Sequence, residues 1–168
     1  MDALCQLYES LGFTNVRSYV QSGNVLFRTS GAVSPKLATK IEAEIEKKFG
    51  FRPPVILRTA AELRDAVARN PFHNHPGIEP NKFLVTFLAE EPSAAAAEKV
   101  RAIKADPEKL HIRGRELYIY YPNGLARPKM PWTALEKAVQ VIGTARNWNT
   151  VTKLLDMAEE LEKKFSAG

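Results

Sequence analysis

One order of elements occurs twice along the chain, on either side of a segment rich in Pro, Asn, His and Gly from Pro71 to Pro80. Before this segment the hydrophobic periodicity indicates helix, hairpin, helix and strand, and after it strand, helix, hairpin and helix. Adding one strand before the first helix would make the two halves alike. The pattern therefore predicts an α+β protein with two ferredoxin-like halves, each a split strand-helix-strand motif with an antiparallel sheet.

Local signals predict the elements of the first half. Apolar residues at helical spacing lead to Gly12, and a second helix is predicted over residues 34–50 with a buried stripe that includes Phe49. A hairpin is predicted from residues 16–20 and 25–29, turning through residues 22–24. The apolar run Pro54 to Arg58 is predicted to be a further strand.

The second half follows a capping box that Thr59 and Glu62 are predicted to form. The pattern then predicts a strand over residues 82–88, a helix over 93–104, a hairpin from 110–112 and 117–121, a helix over 132–142 that Gly143 closes, and a last helix capped by Thr144. We expect residues 1–58 to form the first half, 59–80 a linking helix and loop, and 81–168 the second half with the C-terminal helix.

Two long segments resemble a known family. The sequences LGFTNVRSYVQSGNVLF and GTARNWNTVTKLL, with the spacing between them, are similar to the bacterial family called domain of unknown function 1697. The resemblance spans essentially the whole chain and implies an α+β fold with two related halves and no established activity. Members begin with a strand and a glycine-rich loop similar to LLRGINVGG, and this sequence begins at the Met that would follow them. The resemblance therefore implies one of two things: either the start at Met1 is internal to a longer sequence, or the first half lacks its N-terminal strand.

An unpaired strand edge can recruit another chain, so the sequence predicts a possible homodimer through the incomplete first sheet. Charge points to a second kind of partner, because 24 basic residues outnumber 19 acidic residues and give a net charge of +5. Such an excess favours anionic ligands. The single cysteine, Cys5, excludes an intramolecular disulfide and is typical of a reducing compartment. We expect a cytoplasmic protein that has no signal peptide and does not enter a membrane.

The segment GTARNWNTVTKLL contains the first candidate site. If its helix begins at Thr144, Asn147 falls in the middle of the apolar face, and Arg146, Asn149 and Lys153 lie together beside it. One interpretation is structural, with Asn147 capping the helix or tying it to the neighbouring hairpin. The other is an anion site, in which N–H groups at the helix start act with the two cations to bind a phosphate or carboxylate.

Strand alternation predicts a second candidate site. Arg17, Tyr19 and Arg28 should lie on the sheet face opposite Val16, Val20 and Phe27, and the second hairpin should place His111, Arg113, Tyr118 and Tyr120 in the same way. Basic and aromatic side chains on an open sheet are typical of a surface that binds single-stranded RNA. The alternative is that another sheet or a second chain covers these faces. Turn geometry accounts for Gly23 and Asn24, and Gln21 and Ser22 either cap the hairpin or face a pocket.

The leading functional hypothesis is binding of an anionic small molecule or single-stranded nucleic acid. The expected ligand-binding residues are Arg17, Tyr19, Gln21, Ser22, Asn24, Arg28, Arg146, Asn147, Asn149 and Lys153. The alternative is a small-molecule enzyme with a pocket between the two halves, lined by Tyr19, Gln21, Ser22, Arg146 and Asn149. The sequence contains no phosphate-binding loop, dinucleotide fingerprint or nucleophile elbow. His73 and His75 have no further ligands at suitable spacing, so neither a metal nor a cofactor is expected.

Overall fold

A computed structural model describes residues 2–19, 23–31, 33–72, 76–124 and 132–166. The chain has an α+β fold with two antiparallel sheets, one of two strands and one of four, which confirms the predicted fold class. It divides into two compact units. Unit 1 contains residues 1–63 and 154–168, and unit 2 contains residues 64–153. The boundaries that the sequence suggested, after residues 58 and 80, stay a prediction.

In unit 1 two complete helices and a hairpin share one core, and parts of two further helices also belong to the unit. Its elements are α1 (Asp2–Ser10), β1 (Thr14–Tyr19), β2 (Asn24–Arg28) and α2 (Pro35–Phe49). The buried core residues are Leu7, Tyr8, Phe13, Ile41 and Ile45, and the partly buried residues packed against them include Val16, Val25, Phe27, Val55 and Leu57. The helix signals are confirmed, since α2 ends at Gly50, which has a left-handed φ of 81°. The Gly50 N–H donates to the Glu46 carbonyl and so closes the last turn.

Strands β1 and β2 pair antiparallel, with Arg17 opposite Leu26 and Tyr19 opposite Asn24. The pairing shifts between Thr14 and Arg17, where Asn15 has a positive φ of 54°. Such an irregularity bends the outer edge of β1. Strand β2 has no such irregularity along its own residues.

Two predictions for unit 1 are wrong. Residues 51–59 form neither helix nor strand, although a strand was predicted from Pro54 to Arg58. Val55 and Leu57 pack on the core as strand residues would, but the Val55 N–H donates to the Glu42 carboxylate at 3.1 Å. The Glu42 carboxylate thus accepts the Val55 N–H, which would donate to the carbonyl of a neighbouring strand if this segment were part of a sheet. Phe49 was predicted to be buried, but it is 37% exposed beside the ring of Phe51, with 6.4 Å between centroids.

Unit 2 contains a complete split strand-helix-strand motif. Its elements are β3 (Phe83–Leu88), α4 (Ala94–Arg101), β4 (Lys109–Arg113), β5 (Glu116–Tyr120), α5 (Trp132–Val139) and β6 (Gly143–Asn147), with α3 (Ala60–Ala68) and α6 (Trp148–Ser166) crossing its boundaries. A short 3-10 helix, Pro80–Lys82, precedes β3. The sheet order is β4-β5-β3-β6, and all neighbouring strands are antiparallel. The predicted capping box is confirmed, because Thr59 and Glu62 exchange hydrogen bonds of 2.9 and 3.1 Å.

Both faces of the four-stranded sheet contribute buried residues. One face packs against α4 and α5, in a core that includes Leu88, Ile112, Leu117, Ile119, Val100 and Leu135. On the other face Phe83, Val85 and Tyr118 are at most 1% exposed. The rings of Phe72 and Trp148 contact the Phe83 ring, with centroids 5.4 and 5.0 Å away. The Tyr118 hydroxyl donates to the Ala66 carbonyl at 2.6 Å, which ties α3 to this face.

Candidate functional site

The segment Gly143–Asn147 is strand β6, so the prediction that a helix begins at Thr144 is wrong. Arg146 pairs with Val85 of β3, and the last helix begins at Trp148. Gly143 explains the difference. A Cβ at this position would lie 2.8 Å from the Thr86 methyl group and 2.9 Å from Leu88 Cδ2. The glycine therefore permits close approach of β6 to β3, rather than closing α5 as the sequence suggested.

Asn147 is the N-terminal cap of α6, since its Oδ1 accepts the Thr150 N–H at 2.9 Å. Its side chain satisfies one of the donors that a helix start leaves without an intrahelical partner. The expected position in the middle of an apolar helix face is therefore wrong, and the structural interpretation of this residue accounts for its geometry.

Arg146 extends from the strand and is half-buried. Its Nη1 donates to Thr144 Oγ1 at 2.7 Å and to the Ala145 carbonyl at 2.8 Å, and burial lowers the pKa of its guanidinium. Asn149 and Lys153 are exposed on the first turns of α6. The four residues of the first candidate site thus divide between a strand, a cap and a helix surface, and their role in anion binding stays a prediction.

The aromatic residues of the second hairpin are buried, so this hairpin offers no open surface for stacking bases. Tyr118 is 0% exposed and Tyr120 is 8% exposed, and burial raises the pKa of Tyr118. The Tyr120 hydroxyl donates to the Gly77 carbonyl at 3.2 Å. The residues that accept hydrogen bonds from the two hydroxyls, Ala66 and Gly77, are 52 and 43 positions away in the sequence from their tyrosines. Strand alternation predicts the face correctly but contains no information about what covers it.

His111 and Arg113 lie at the outer edge of this sheet, on β4. The Arg113 Nε donates to His111 Nε2 at 3.1 Å, a geometry that requires the acceptor nitrogen of a neutral imidazole. Burial, Arg113 and then Arg101 lower the pKa of His111. The lowered pKa means that His111 resists protonation beside the exposed Arg113.

The first hairpin has the open face that alternation predicts. Arg17, Tyr19, Leu26 and Arg28 lie on the side of β1 and β2 opposite the core residues Val16, Val25 and Phe27. Both arginines are exposed, and Tyr19 and Leu26 are half-buried. We call these four residues the hairpin outer face. Leu26 was not among the predicted site residues, although its alternation with Val25 and Phe27 would have identified it.

Asn24 lies on the same side of the hairpin, opposite Tyr19, but it is buried and has a structural contact. It is 8% exposed, and its Nδ2 donates to the Tyr19 carbonyl at 3.0 Å, which holds the end of the hairpin together. Gly23 has a φ of 87°, as a tight turn requires. Val20, Gln21 and Ser22 lie outside the described residues, so their predicted roles stay predictions.

Charge is distributed unequally between the units. Unit 2 contains 14 basic and 9 acidic residues, whereas unit 1 contains 10 of each. The basic excess of the chain thus belongs to unit 2, and any test of anion binding has to compare the hairpin outer face with the basic residues of β4.

The described part of the chain contains no group of three His, Cys, Asp or Glu side chains that could bind a metal ion. His73 and His75 lie outside it. None of the helices in the described ranges is long and apolar enough to cross a bilayer.

One comparison with known proteins shows the fold of the chain, and another shows its family. The chain is similar to a solved structure described as conserved bacterial protein SP0830 from Streptococcus pneumoniae, with a TM-score of 0.69 and 19% sequence identity, over 94% of this chain and 88% of that one. At this identity the likeness shows a shared fold. No curated protein matches the sequence. The model of the family described as protein of unknown function (DUF1697) matches residues 1–118, and the chain therefore belongs to the DUF1697 family.

Proposed function

We propose that the chain binds single-stranded nucleic acid through the hairpin outer face. One observation carries the proposal. Two exposed arginines and a half-buried tyrosine lie on one side of a hairpin whose other side holds the core of unit 1. Arginines can bind phosphates and the ring can stack on a base, and this combination is the usual basis of binding to single strands without strong sequence preference.

The register brings these groups within reach of one short stretch of nucleic acid. Arg17 lies opposite Leu26, and Arg28 is two residues further along β2 on the same face. Arg28 itself is opposite Thr14, and residues two apart along a strand, such as Leu26 and Arg28, lie about 7 Å apart. Tyr19 is two residues from Arg17 in the other direction, so the ring and the two cations follow the diagonal of the hairpin. A base stacked on the ring would contribute about 1–3 kcal/mol.

The test is fluorescence anisotropy with a labelled single-stranded oligonucleotide over a range of salt concentrations. We expect Arg17→Ala/Arg28→Ala to weaken binding at least about tenfold, because two phosphate contacts are lost. The slope of log affinity against log salt should become shallower by about 1.4, which corresponds to two phosphate contacts with a single strand. Tyr19→Ala should weaken binding while leaving the slope unchanged.

Two matched variants control for the loss of charge. Lys36→Ala/Lys40→Ala removes two exposed cations from α2, and Lys109→Ala/Arg113→Ala removes two from β4. We expect both to retain binding within about threefold. Equal losses of affinity in all three double variants would show that net charge alone accounts for the binding. A loss confined to the β4 variant would assign binding to unit 2, and either result overturns the proposal.

A thermal-shift screen with nucleotides and sugar phosphates distinguishes the small-molecule alternative from nucleic-acid binding. A pocket stabilises the fold only with its own ligand. Stabilisation by one of these compounds, together with absence of oligonucleotide binding, would replace the proposal with that alternative.

A further inference from the structure

The basic excess of unit 2 lies mainly in one stretch of the chain, residues 99–115. This stretch contains six basic and two acidic residues, so it accounts for a net charge of +4 out of the +5 of the unit. Within the described residues five of these cations are exposed and form no ion pair, namely Lys99, Arg101, Lys104, Lys109 and Arg113. Helix α4, strand β4 and the segment between them therefore present positive charge that no carboxylate of the described chain neutralises.

Strand β4 is the edge strand of a complete motif. The six elements from β3 to β6 make up the whole split strand-helix-strand unit, and β4 has a neighbour, β5, on one side only. A two-residue turn with Gly114 at a φ of 53° joins the two strands, so Arg113 and Glu116 form a hydrogen-bonded pair. Such pairs alternate along a ladder, so the backbone groups of Leu110 and Ile112 point away from β5. Those groups have no hydrogen-bond partner in the described part of the chain.

The side chains at this edge differ between the two faces of the sheet. One face carries the basic residues of the strand, Lys109, His111 and Arg113. The other face turns towards α4 and borders a cleft of about 370 Å³ whose uncharged lining residues are Pro92, Ala94, Ala97, Ile112 and Gly114. The charged residues of the cleft, Glu91, Glu98 and Arg101, include two carboxylates, which discourage a further carboxylate from entering. The edge is therefore complementary to a strand that is acidic on one face and apolar on the other.

We propose that the open edge of β4 binds an extended segment of a partner protein, in which acidic residues alternate with small apolar residues. The segment would add a strand to the sheet by pairing with the backbone of Leu110 and Ile112. Its carboxylates would lie beside Lys109 and Arg113, and its apolar side chains would enter the cleft next to α4. Edge cations discourage pairing with basic strands, and the same cations select an acidic one.

Two other occupants fit this edge less well. A second copy of β4 paired antiparallel about His111 would set Lys109 opposite the second copy's Arg113, and like charges directly opposite each other are destabilising. Nucleic acid would meet the cations, but the neighbouring rings of Tyr118 and Tyr120 are buried and cannot stack on bases. The proposal also stands apart from the nucleic-acid site proposed above, which lies on the hairpin of unit 1.

Fluorescence anisotropy with a labelled peptide of alternating glutamate and valine, about seven residues long, tests the proposal. We expect a Kd below about 100 μM at about 50 mM salt. A peptide with lysine in place of glutamate should bind at least about tenfold more weakly, because its charges repel those of β4. A copy of the acidic peptide with methylated backbone nitrogens keeps its charge but cannot donate to a ladder, and it should also lose at least about tenfold in affinity. Equal binding of the methylated and unmethylated peptides would overturn the proposal, since charge alone would then explain it.

The Lys109→Ala/Arg113→Ala variant should bind the acidic peptide at least about tenfold more weakly, because two charge-assisted contacts are lost. The matched control, Lys36→Ala/Lys40→Ala, removes two exposed cations from α2 and should stay within about threefold. The β4 variant is expected to keep its oligonucleotide binding, so the two proposals fail separately. Oligonucleotide binding that this variant loses, without peptide binding in the original chain, would make the edge a nucleic-acid site instead.

Hydrogen exchange of the original chain locates the peptide without any substitution. At saturating peptide the amides of Leu110 and Ile112 should exchange at least about tenfold more slowly, because they point to the open edge. The amides of His111 and Arg113 already face β5 and should change little. Slowing confined to β6 would place the peptide at the opposite edge of the sheet and would rule out β4 as its binding site.

Discussion

Asn147 shows how one side chain sets the boundary between two elements. Its backbone belongs to the end of β6, and its Oδ1 accepts the N–H of Thr150 in the first turn of α6. Trp148 follows immediately and stacks on Phe83 of β3, with the rings at an interplanar angle of 22°. The cap and the stacked ring together fix where the strand stops and the helix begins.

Asn147→Ala should reduce the free energy of unfolding by about 1 kcal/mol, the usual contribution of a helix cap. Asn147→Asp and Asn147→Ser keep an acceptor oxygen and should stay within about 0.5 kcal/mol of the original chain. Asn149→Ala changes an exposed amide two residues later and should have little effect. Urea denaturation measures all four. A loss above about 3 kcal/mol for Asn147→Ala would point to a buried network rather than a cap.

At the scale of elements, local and nonlocal signals differ in what they can predict. The α2 helix and the Thr59–Glu62 capping box depend on residues within one or two turns, and the sequence predicts both. Strand β6 has no β-branched run and exists because β3 pairs with it along five positions. The Pro54 to Arg58 segment has the opposite property, with strand-like composition but no strand partner among the described residues.

The candidate site shows the same difference between local and nonlocal signals. Alternation along β1 and β2 is local, and it correctly placed Arg17, Tyr19 and Arg28 on one face. Burial of Tyr118 depends on α3, whose Ala66 lies 52 positions earlier in the chain. Periodicity within a strand assigns a residue to a face, but only the assembled fold determines whether that face is open.

Gly143→Ala tests the close approach of β6 to β3. The added methyl group would meet the Thr86 and Leu88 side chains below 3.0 Å and the Phe87 carbonyl oxygen at 3.2 Å. We expect a loss of about 1–3 kcal/mol in the free energy of unfolding, because the two strands must move apart to admit it. Gly31→Ala is the control, since its methyl group would meet the Thr29 hydroxyl at an ordinary 3.7 Å. Equal stability of the two variants in chemical denaturation would show that β6 can shift without cost.

At the scale of the whole molecule, the two units differ in the number of chain segments that form them. Unit 2 is one continuous stretch, residues 64–153, whereas unit 1 combines residues 1–63 with 154–168. The α6 helix contributes to both, because its cap and first residues belong to unit 2 and the remainder to unit 1.

This arrangement determines which unit can fold first during synthesis. During synthesis unit 2 has all of its residues once Lys153 has left the ribosome, but unit 1 has to wait for residues 154–168 although most of it was made first. A chain truncated after Lys153 should therefore keep slow hydrogen exchange in β3 and β5 and lose protection in β1 and β2. Equal protection of the first hairpin in the truncated and full chains would show that unit 1 matures without its last segment. If protection is lost as expected, the nascent hairpin stays exposed to chaperones and proteases until residues 154–168 have left the ribosome.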